Sequence, residues 1–267
     1  MKNVRAKKSL GQHFLNDEHI AQRIAGTISA THLPADAKQW GEIPMLEIGP
    51  GMGMLTKYLI QTGRDLVAVE LDSESVSFLA KMYPGLKVME ADFLRMDLAE
   101  LFPEQEFAVI GNYPYNISSQ IFFKILENRD RVPVAAGMLQ KEVAERICAG
   151  PGGRERGILS VLLQAWYDCE YLFTVEPHVF TPPPKVRSGV LRLTRNERTD
   201  LGCDPEAFKA TVKQAFSQRR KTLRNSLAPM LANVPKERIE PIAGLLAERP
   251  ERLSVEQFIL LTNTLRQ

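Results

Sequence analysis

The residues with the most chemical content are Asn112-Tyr113-Pro114-Tyr115, which follow the uncharged run Phe107-Ala-Val-Ile-Gly111. Such a run suits a strand buried on both faces of a parallel sheet. Pro114 has no N–H to continue a ladder and disfavours helix at Tyr113, so the strand must stop on an amide and an aromatic ring. In open α/β sheets ligands lie beyond the carboxyl ends of strands. The chemistry on offer there is activation of an aromatic amine. The exocyclic nitrogen of a purine is a poor nucleophile, because its lone pair is delocalised into the ring. The Asn112 side-chain oxygen and a backbone carbonyl beside Pro114 could each accept one of its N–H groups and draw it toward tetrahedral geometry. Tyr115 would supply a flat face for the base. The same four residues also fit a strand ending in a Pro-Tyr turn, with Asn112 as a turn residue. The choice depends on what stands upstream.

Upstream, Pro44-Met-Leu-Glu-Ile-Gly-Pro-Gly-Met-Gly-Met-Leu-Thr56 reads as a short strand, a turn through Gly49, Gly51 and Gly53, and the start of a helix. This is the opening of a nucleotide-binding βα unit, with GxGxG spacing and no Walker lysine, so a phosphate cradle is not favoured. The strand Asp65-Leu-Val-Ala-Val69 ends in Glu70-Leu71-Asp72, placing Glu70 21 residues after Gly49. An acid at that tip suits the hydroxyls of a ribose; Asp72 or Ser73 would cap the helix that follows. Leu86 to Glu90 forms a third strand ending in Ala91-Asp92-Phe93, where Asp92 could accept from an adenine amino group and Phe93 could pack on its ring. Three successive strand ends thus offer glycines, a ribose carboxylate and an adenine acceptor, and the fourth offers Asn-x-Pro-Tyr.

The remaining elements follow from periodicity. Asp17 is a plausible N-cap for a helix through Ile20, Ile24 and Ile28. Residues 31–43 read as loop, 132–139 as a fifth strand and 141–148 as a helix. Ala149 to Gly157 reads as a mobile, charged, glycine-rich loop near the site. Strand-like stretches at 169–175 and 189–194 flank Glu176-Pro-His-Val-Phe-Thr-Pro-Pro-Pro-Lys-Val-Arg-Ser188. There Phe180 could form a second face of an aromatic clamp, with Lys185 and Arg187 near a phosphate; a proline-rich strand connection is the plainer alternative. Polar residues 196–204 mark a boundary, beyond which 205–224, 227–231, 236–246 and 255–265 read as helix. The expected organisation is an α/β domain over 1–196 and a small all-α domain over 197–267.

Composition bounds the class. With 267 residues, 44% hydrophobic and 25% charged, the chain suits a soluble globular protein, and no apolar run reaches the length of a membrane span. Cys148, Cys169 and Cys203 are odd in number and outside zinc-ligand spacing, so neither a disulfide framework nor a metal site is expected, and a cytoplasmic location is. The net charge of +2 says little, but residues 2–8 carry four Lys/Arg, including Lys7 and Lys8, and no acid. Gln218 to Arg224 carries four more: Arg219, Arg220, Lys221 and Arg224. Such patches suit a polyanion, although each alone also suits a solvated helix face.

The strings Gly11-Gln-His-Phe-Leu-Asn16, Glu47 to Gly53, Gly111 to Ser118, Phe180 to Ser188 and Phe216 to Asn225 together resemble the KsgA/RsmA-type small-subunit ribosomal RNA adenine dimethyltransferases. The resemblance covers almost the whole chain. It implies a Rossmann-like class I methyltransferase domain with a mostly parallel sheet of about seven strands, and S-adenosylmethionine as cofactor. It implies that His13 and Leu15 help close the cofactor pocket. Gly49, Gly51, Glu70, Leu71, Asp92, Phe93 and Asn112 would contact the cofactor, and Asn112, the Pro114 carbonyl, Tyr115 and Phe180 would hold the target adenine. His13 and Tyr113 depart from the Asn and Leu frequent in the family. The implied reaction is dimethylation at N6 of two adjacent adenosines in a hairpin loop near the 3′ end of 16S rRNA, by a monomer with a role in subunit biogenesis. The basic arm, the Lys185/Arg187 pair and the helical domain would grip RNA. Alternatives are a large-subunit RNA adenine methyltransferase, a DNA N6-adenine methyltransferase and a non-catalytic assembly factor.

Overall fold

The computed structural model describes residues 4–218 and 220–266. The chain packs as two compact units. The first comprises 1–144 with 168–195, and the second 145–167 with 196–267.

The first unit holds a sheet whose strands are β2 (Met45–Ile48), β3 (Leu66–Glu70), β4 (Lys87–Glu90), β5 (Ala108–Asn112), β6 (Val134–Gln140), β7 (Tyr167–Val175) and β9 (Ser188–Arg195). A two-residue ladder joins β1 (Phe14–Leu15) to β8 (Phe180–Thr181). The sheet order is β4-β3-β2-β5-β6-β9-β7. The pairs among β2 to β6 are parallel, and β9 runs antiparallel to β6. β2 and β3 are buried throughout, as strands covered on both faces must be. The order reverses between β2 and β5, and there the strand ends diverge to leave a crevice.

The helices start where the chain supplies caps. Asp17 accepts the Ile20 N–H at 2.9 Å and opens α1 (Glu18–Gly26), which buries Ala21, Ile24 and Ala25. α2 (Thr56–Ile60) follows the glycine turn and α3 (Ser73–Met82) follows β3. Asp72 occupies the N-cap position of α3, yet its side chain takes the Ser75 hydroxyl instead of a backbone N–H. α4 (Ser118–Glu127) follows the Asn-Tyr-Pro-Tyr turn, with Ser118 donating back to the Tyr115 carbonyl.

Tyr113 explains two glycines. Its ring is 1% exposed and edge-on to Phe122, and its hydroxyl donates to the Ala136 carbonyl at 2.7 Å. A Cβ on Gly111 would lie 3.0 Å from that ring, and one on Gly137 2.6 Å from it. Adjacent strands therefore leave a side-chain-free floor for a residue larger than leucine.

The second unit is helical. α5 (Lys141–Cys148) runs into it, followed by α6 (Ile158–Gln164), α7 (Pro205–Ala215), α8 (Leu223–Ser226), α9 (Ala228–Leu231), α10 (Lys236–Ile239), α11 (Ala243–Ala247) and α12 (Val255–Leu265). Two sequence expectations are corrected here. The helix read over 205–224 ends at Ala215, passes through a 3-10 turn and restarts at Leu223. The loop after α5 belongs to this unit and is pinned: the Gly152 N–H donates to the Glu251 carbonyl, and the 1%-exposed Arg156 donates to the Ala149 carbonyl and to Gln164. A buried guanidinium holds its loop by satisfying carbonyls that would otherwise be orphaned.

Candidate active site

The crevice is lined by the ends of β2, β3, β4 and β5 together with residues 10–15. The turn after β2 places Gly49 and Gly51 at φ +66° and +55°, conformations that favour glycine. A Cβ on Gly51 would also lie 2.9 Å from the Phe14 ring, so the turn has no room for one.

At the end of β3 the Glu70 carboxylate is buried and aimed by three backbone donors. Oε2 accepts from Gly51, and Oε1 accepts from Leu71 and Asp72, at 2.9–3.0 Å. Burial raises its pKa, and those donors oppose the shift. Leu71 is 52% exposed on the same wall. At the end of β4, Asp92 lines the cavity and also accepts the Leu94 N–H at 2.9 Å, combining a local cap with the expected acceptor position. Phe93 is buried beside it.

At the end of β5 the Asn112 side-chain nitrogen donates to the His13 carbonyl at 3.1 Å. That bond assigns the amide orientation and turns Oδ1 into the acceptor left for a ligand. The Pro114 carbonyl accepts the Ile117 N–H at 3.2 Å and, with two lone pairs, retains capacity for one more donor. Tyr115 lines the cavity with its hydroxyl 2.6 Å from Ser188 Oγ; burial raises its pKa. The His13 ring donates through Nδ1 to the Pro182 carbonyl at 2.8 Å, and its centroid is 5.4 Å from that of Tyr115.

Phe180 is not on this surface. It is 2% exposed in the core with Leu15, Ile24 and Val175, because its ladder pairing with Leu15 carries it inward. Leu15 itself reaches the cavity wall. Of the expected RNA contacts, Lys8, Lys185, Arg187, Arg220, Lys221 and Arg224 are exposed. Lys7 instead pairs with Asp72 and Glu74, and Arg219 lies outside the described residues.

One group escaped the sequence reading. Glu47 is 1% exposed in the middle of a buried strand, lines the cavity, and has Oε2 bound by the Thr56 hydroxyl at 2.7 Å. Its Oε1 meets no donor, and burial pushes its pKa up to about 8. The signal was present: a carboxylate inside an otherwise apolar strand, two residues before the glycine turn.

The lining tests what the cavity can hold. It contains the acids Glu47, Glu70 and Asp92 and, among the described residues, no Lys or Arg. A pyrophosphate would find no counter-charge, whereas a cationic ligand bearing hydroxyls and an exocyclic amine would meet acidic and amide acceptors on this lining. Sheet order, glycine turn and acidic strand tips define a class I methyltransferase that uses S-adenosylmethionine.

Residues 3–266 match the family model described as ribosomal RNA adenine dimethylase, and the chain belongs to that family. It is an enzyme that methylates adenine in ribosomal RNA. It is 57% identical to ribosomal RNA small subunit methyltransferase A of Parabacteroides distasonis, over 98% of this chain and 94% of that one. With the protein of the same name from Porphyromonas gingivalis it shares 53% over the full length of both. Among solved structures it resembles a dimethyladenosine transferase from Plasmodium falciparum, at 25% identity and TM-score 0.74, covering 93% of this chain and 96% of that one. It also resembles the 23S rRNA methyltransferase ErmE, at 28% and 0.68, covering 95% and 100%.

Proposed function

We propose that this enzyme dimethylates N6 of two adjacent adenosines in a hairpin loop near the 3′ end of 16S rRNA, within the small subunit or its precursor. The observation that supports the chemistry is the Asn112 amide, which lines the cavity and whose nitrogen is committed to the His13 carbonyl, leaving the oxygen as its acceptor. Bound S-adenosylmethionine supplies a methyl group on a sulfonium that departs as a neutral thioether. Glu70 and Asp92 hold its ribose and adenine, with Gly49, Gly51, Leu71 and Phe93 shaping the walls and His13 and Leu15 closing them. Asn112 Oδ1 and the Pro114 carbonyl accept the N–H groups of the target amine, and Tyr115 stacks on the base. The base must leave its stack, which is easier from a loop than from a duplex. Rate enhancement comes from positioning and amine hydrogen bonding.

The small-subunit target is supported by the names of relatives at 53–57% identity, against 28% for the large-subunit enzyme. The exposed Lys8, Lys185, Arg187, Arg220, Lys221 and Arg224 grip backbone phosphates, and the helical unit contributes the last three. Among the described residues no helix is long and apolar enough to cross a membrane; the enzyme acts in the cytoplasm as a monomer and takes part in subunit biogenesis. Labelled cofactor incubated with small subunits that lack the modification should deposit label as dimethyladenine in 16S rRNA. Label appearing only in naked large-subunit RNA would overturn the assignment.

A further inference from the structure

Residues 10–15 form one wall of the cavity, and the segment 7–16 that carries them is anchored to two of the strand tips that build the site. At its start Lys7 Nζ pairs with Asp72 Oδ1 and lies 3.1 Å from Glu74 Oε1. The Asp72 side chain is 1% exposed, and a charge withdrawn from water is costly to leave unpaired. Asp72 is also wired to the site. Its backbone N–H donates to Glu70 Oε1 at 2.9 Å, and Glu70 Oε2 accepts from Gly51, against which Phe14 of the same segment packs. Further along, the His13 carbonyl takes the Asn112 side-chain N–H, the bond that leaves Oδ1 for the target amine. One segment therefore reaches the acid proposed to face the cofactor through Asp72 and Gly51, and directly binds the amide proposed to face the base.

We propose that Lys7 is a positioning residue: its ion pair with Asp72 latches segment 7–16 over the bound cofactor, and the same closure aims Asn112 at the target amine. This rests on the reading of the cavity as the cofactor site and of Asn112 as the amine acceptor. It takes Lys7 out of the RNA-binding set, because its ammonium is already committed to two carboxylates. The cofactor lies behind the segment and leaves when the latch opens. Weakening the latch shifts population to the open form, so it speeds release and reduces the fraction of molecules with Asn112 aimed.

Lys7→Met and Lys7→Arg in the full chain test this. Cofactor affinity is read by calorimetry and release by stopped flow, turnover is followed on small subunits, and RNA affinity is measured at several salt concentrations. Lys7→Met should weaken cofactor binding ~10-fold, a mid-range coupling between two elements, mostly through faster release. It should lower kcat, lower the melting temperature without cofactor because the buried Asp72 loses its partner, and leave RNA affinity and its salt slope unchanged. Lys7→Arg should recover most of the loss. Asp72→Asn, which keeps the N–H to Glu70, should reproduce Lys7→Met, and the double variant should be no worse than either. Unchanged cofactor affinity with weaker RNA binding and a shallower salt slope would make Lys7 a phosphate contact and overturn the latch. Equal losses in Lys7→Met and Lys7→Arg would also overturn it. If the wild-type chain itself fails to bind S-adenosylmethionine, the underlying site reading falls, an outcome distinct from a latch that makes no difference.

Discussion

The Asn112 side chain donates one hydrogen bond in the structure and is proposed to accept a second from the target amine, and Asn112→Ala should test the consequences of losing each. The nitrogen side holds the His13 carbonyl at 3.1 Å. A neutral hydrogen bond is worth about 1 kcal/mol net, so its loss should loosen the closing segment and weaken cofactor binding roughly 5-fold. In the proposed role the oxygen accepts from the amine as its charge develops, and deleting such an acceptor typically costs ~10²–10³ in kcat, about 2.7–4 kcal/mol. Turnover should therefore fall far more than cofactor affinity. Asn112→Asp sharpens the test. It keeps an oxygen toward the base but sets a second oxygen against the His13 carbonyl, so cofactor retention should suffer more than in the alanine variant. Transfer of labelled methyl groups to unmodified small subunits gives kcat, and calorimetry gives the cofactor Kd. A kcat within about threefold of wild type for Asn112→Ala would refute the amide's assigned role.

Three further outcomes follow from the same contacts. Glu70→Ala removes the proposed ribose acceptor and strands three backbone donors; calorimetry should show cofactor affinity down by ~10² or more, since bonds to a charged acceptor carry about 1.5–3 kcal/mol each, and melting should show lower stability. Glu47 holds its proton in the fold up to about pH 8, whereas the unfolded carboxyl releases it near 4.5. The native state therefore binds more protons between those values and its stability falls as pH rises through that window. Urea titrations across pH 5–9 should show this slope in the wild type and lose it in Glu47→Gln. Gly137→Ala would press a methyl group against the Gly111 carbonyl and to 2.6 Å from the Tyr113 ring. Overpacking of this kind costs about 1–3 kcal/mol or more, readable as a lowered melting temperature.

The placement of the strand-tip groups was readable because a parallel sheet imposes order on it. Successive βα units place successive strand ends on one edge, so the glycine turn, Glu70, Asp92 and Asn112 arrive at a common crevice whatever their separation along the chain. A local signal decided one cap as well: Asp17 accepts the N–H its spacing predicts, whereas the Asp72 side chain at the start of α3 takes a hydroxyl instead. What failed were inferences that needed a side chain's direction. Phe180 has the right type for a clamp, but its pairing with Leu15 turns it into the core. Lys7 sits in a basic run that suits a polyanion, yet it meets a buried carboxylate 65 residues away. The loop after α5 has a flexible composition, and a buried arginine pins it.

Periodicity and motif spacing by themselves determined the α/β architecture and the acidic and amide groups at the strand ends, and the resemblance carried by five short strings pointed to the family. These depend on local backbone preference and on a pattern that repeats. Folding alone decided which atom of each group is available. The amide of Asn112 is oriented by a carbonyl 99 residues away, and Glu47 keeps its proton because other elements exclude water from it. Tyr113 is a core residue because Gly111 and Gly137 lie side by side on adjacent strands. Desolvation and hydrogen-bond partnership are properties of contacts between distant segments, and a linear string of residue types carries no record of them.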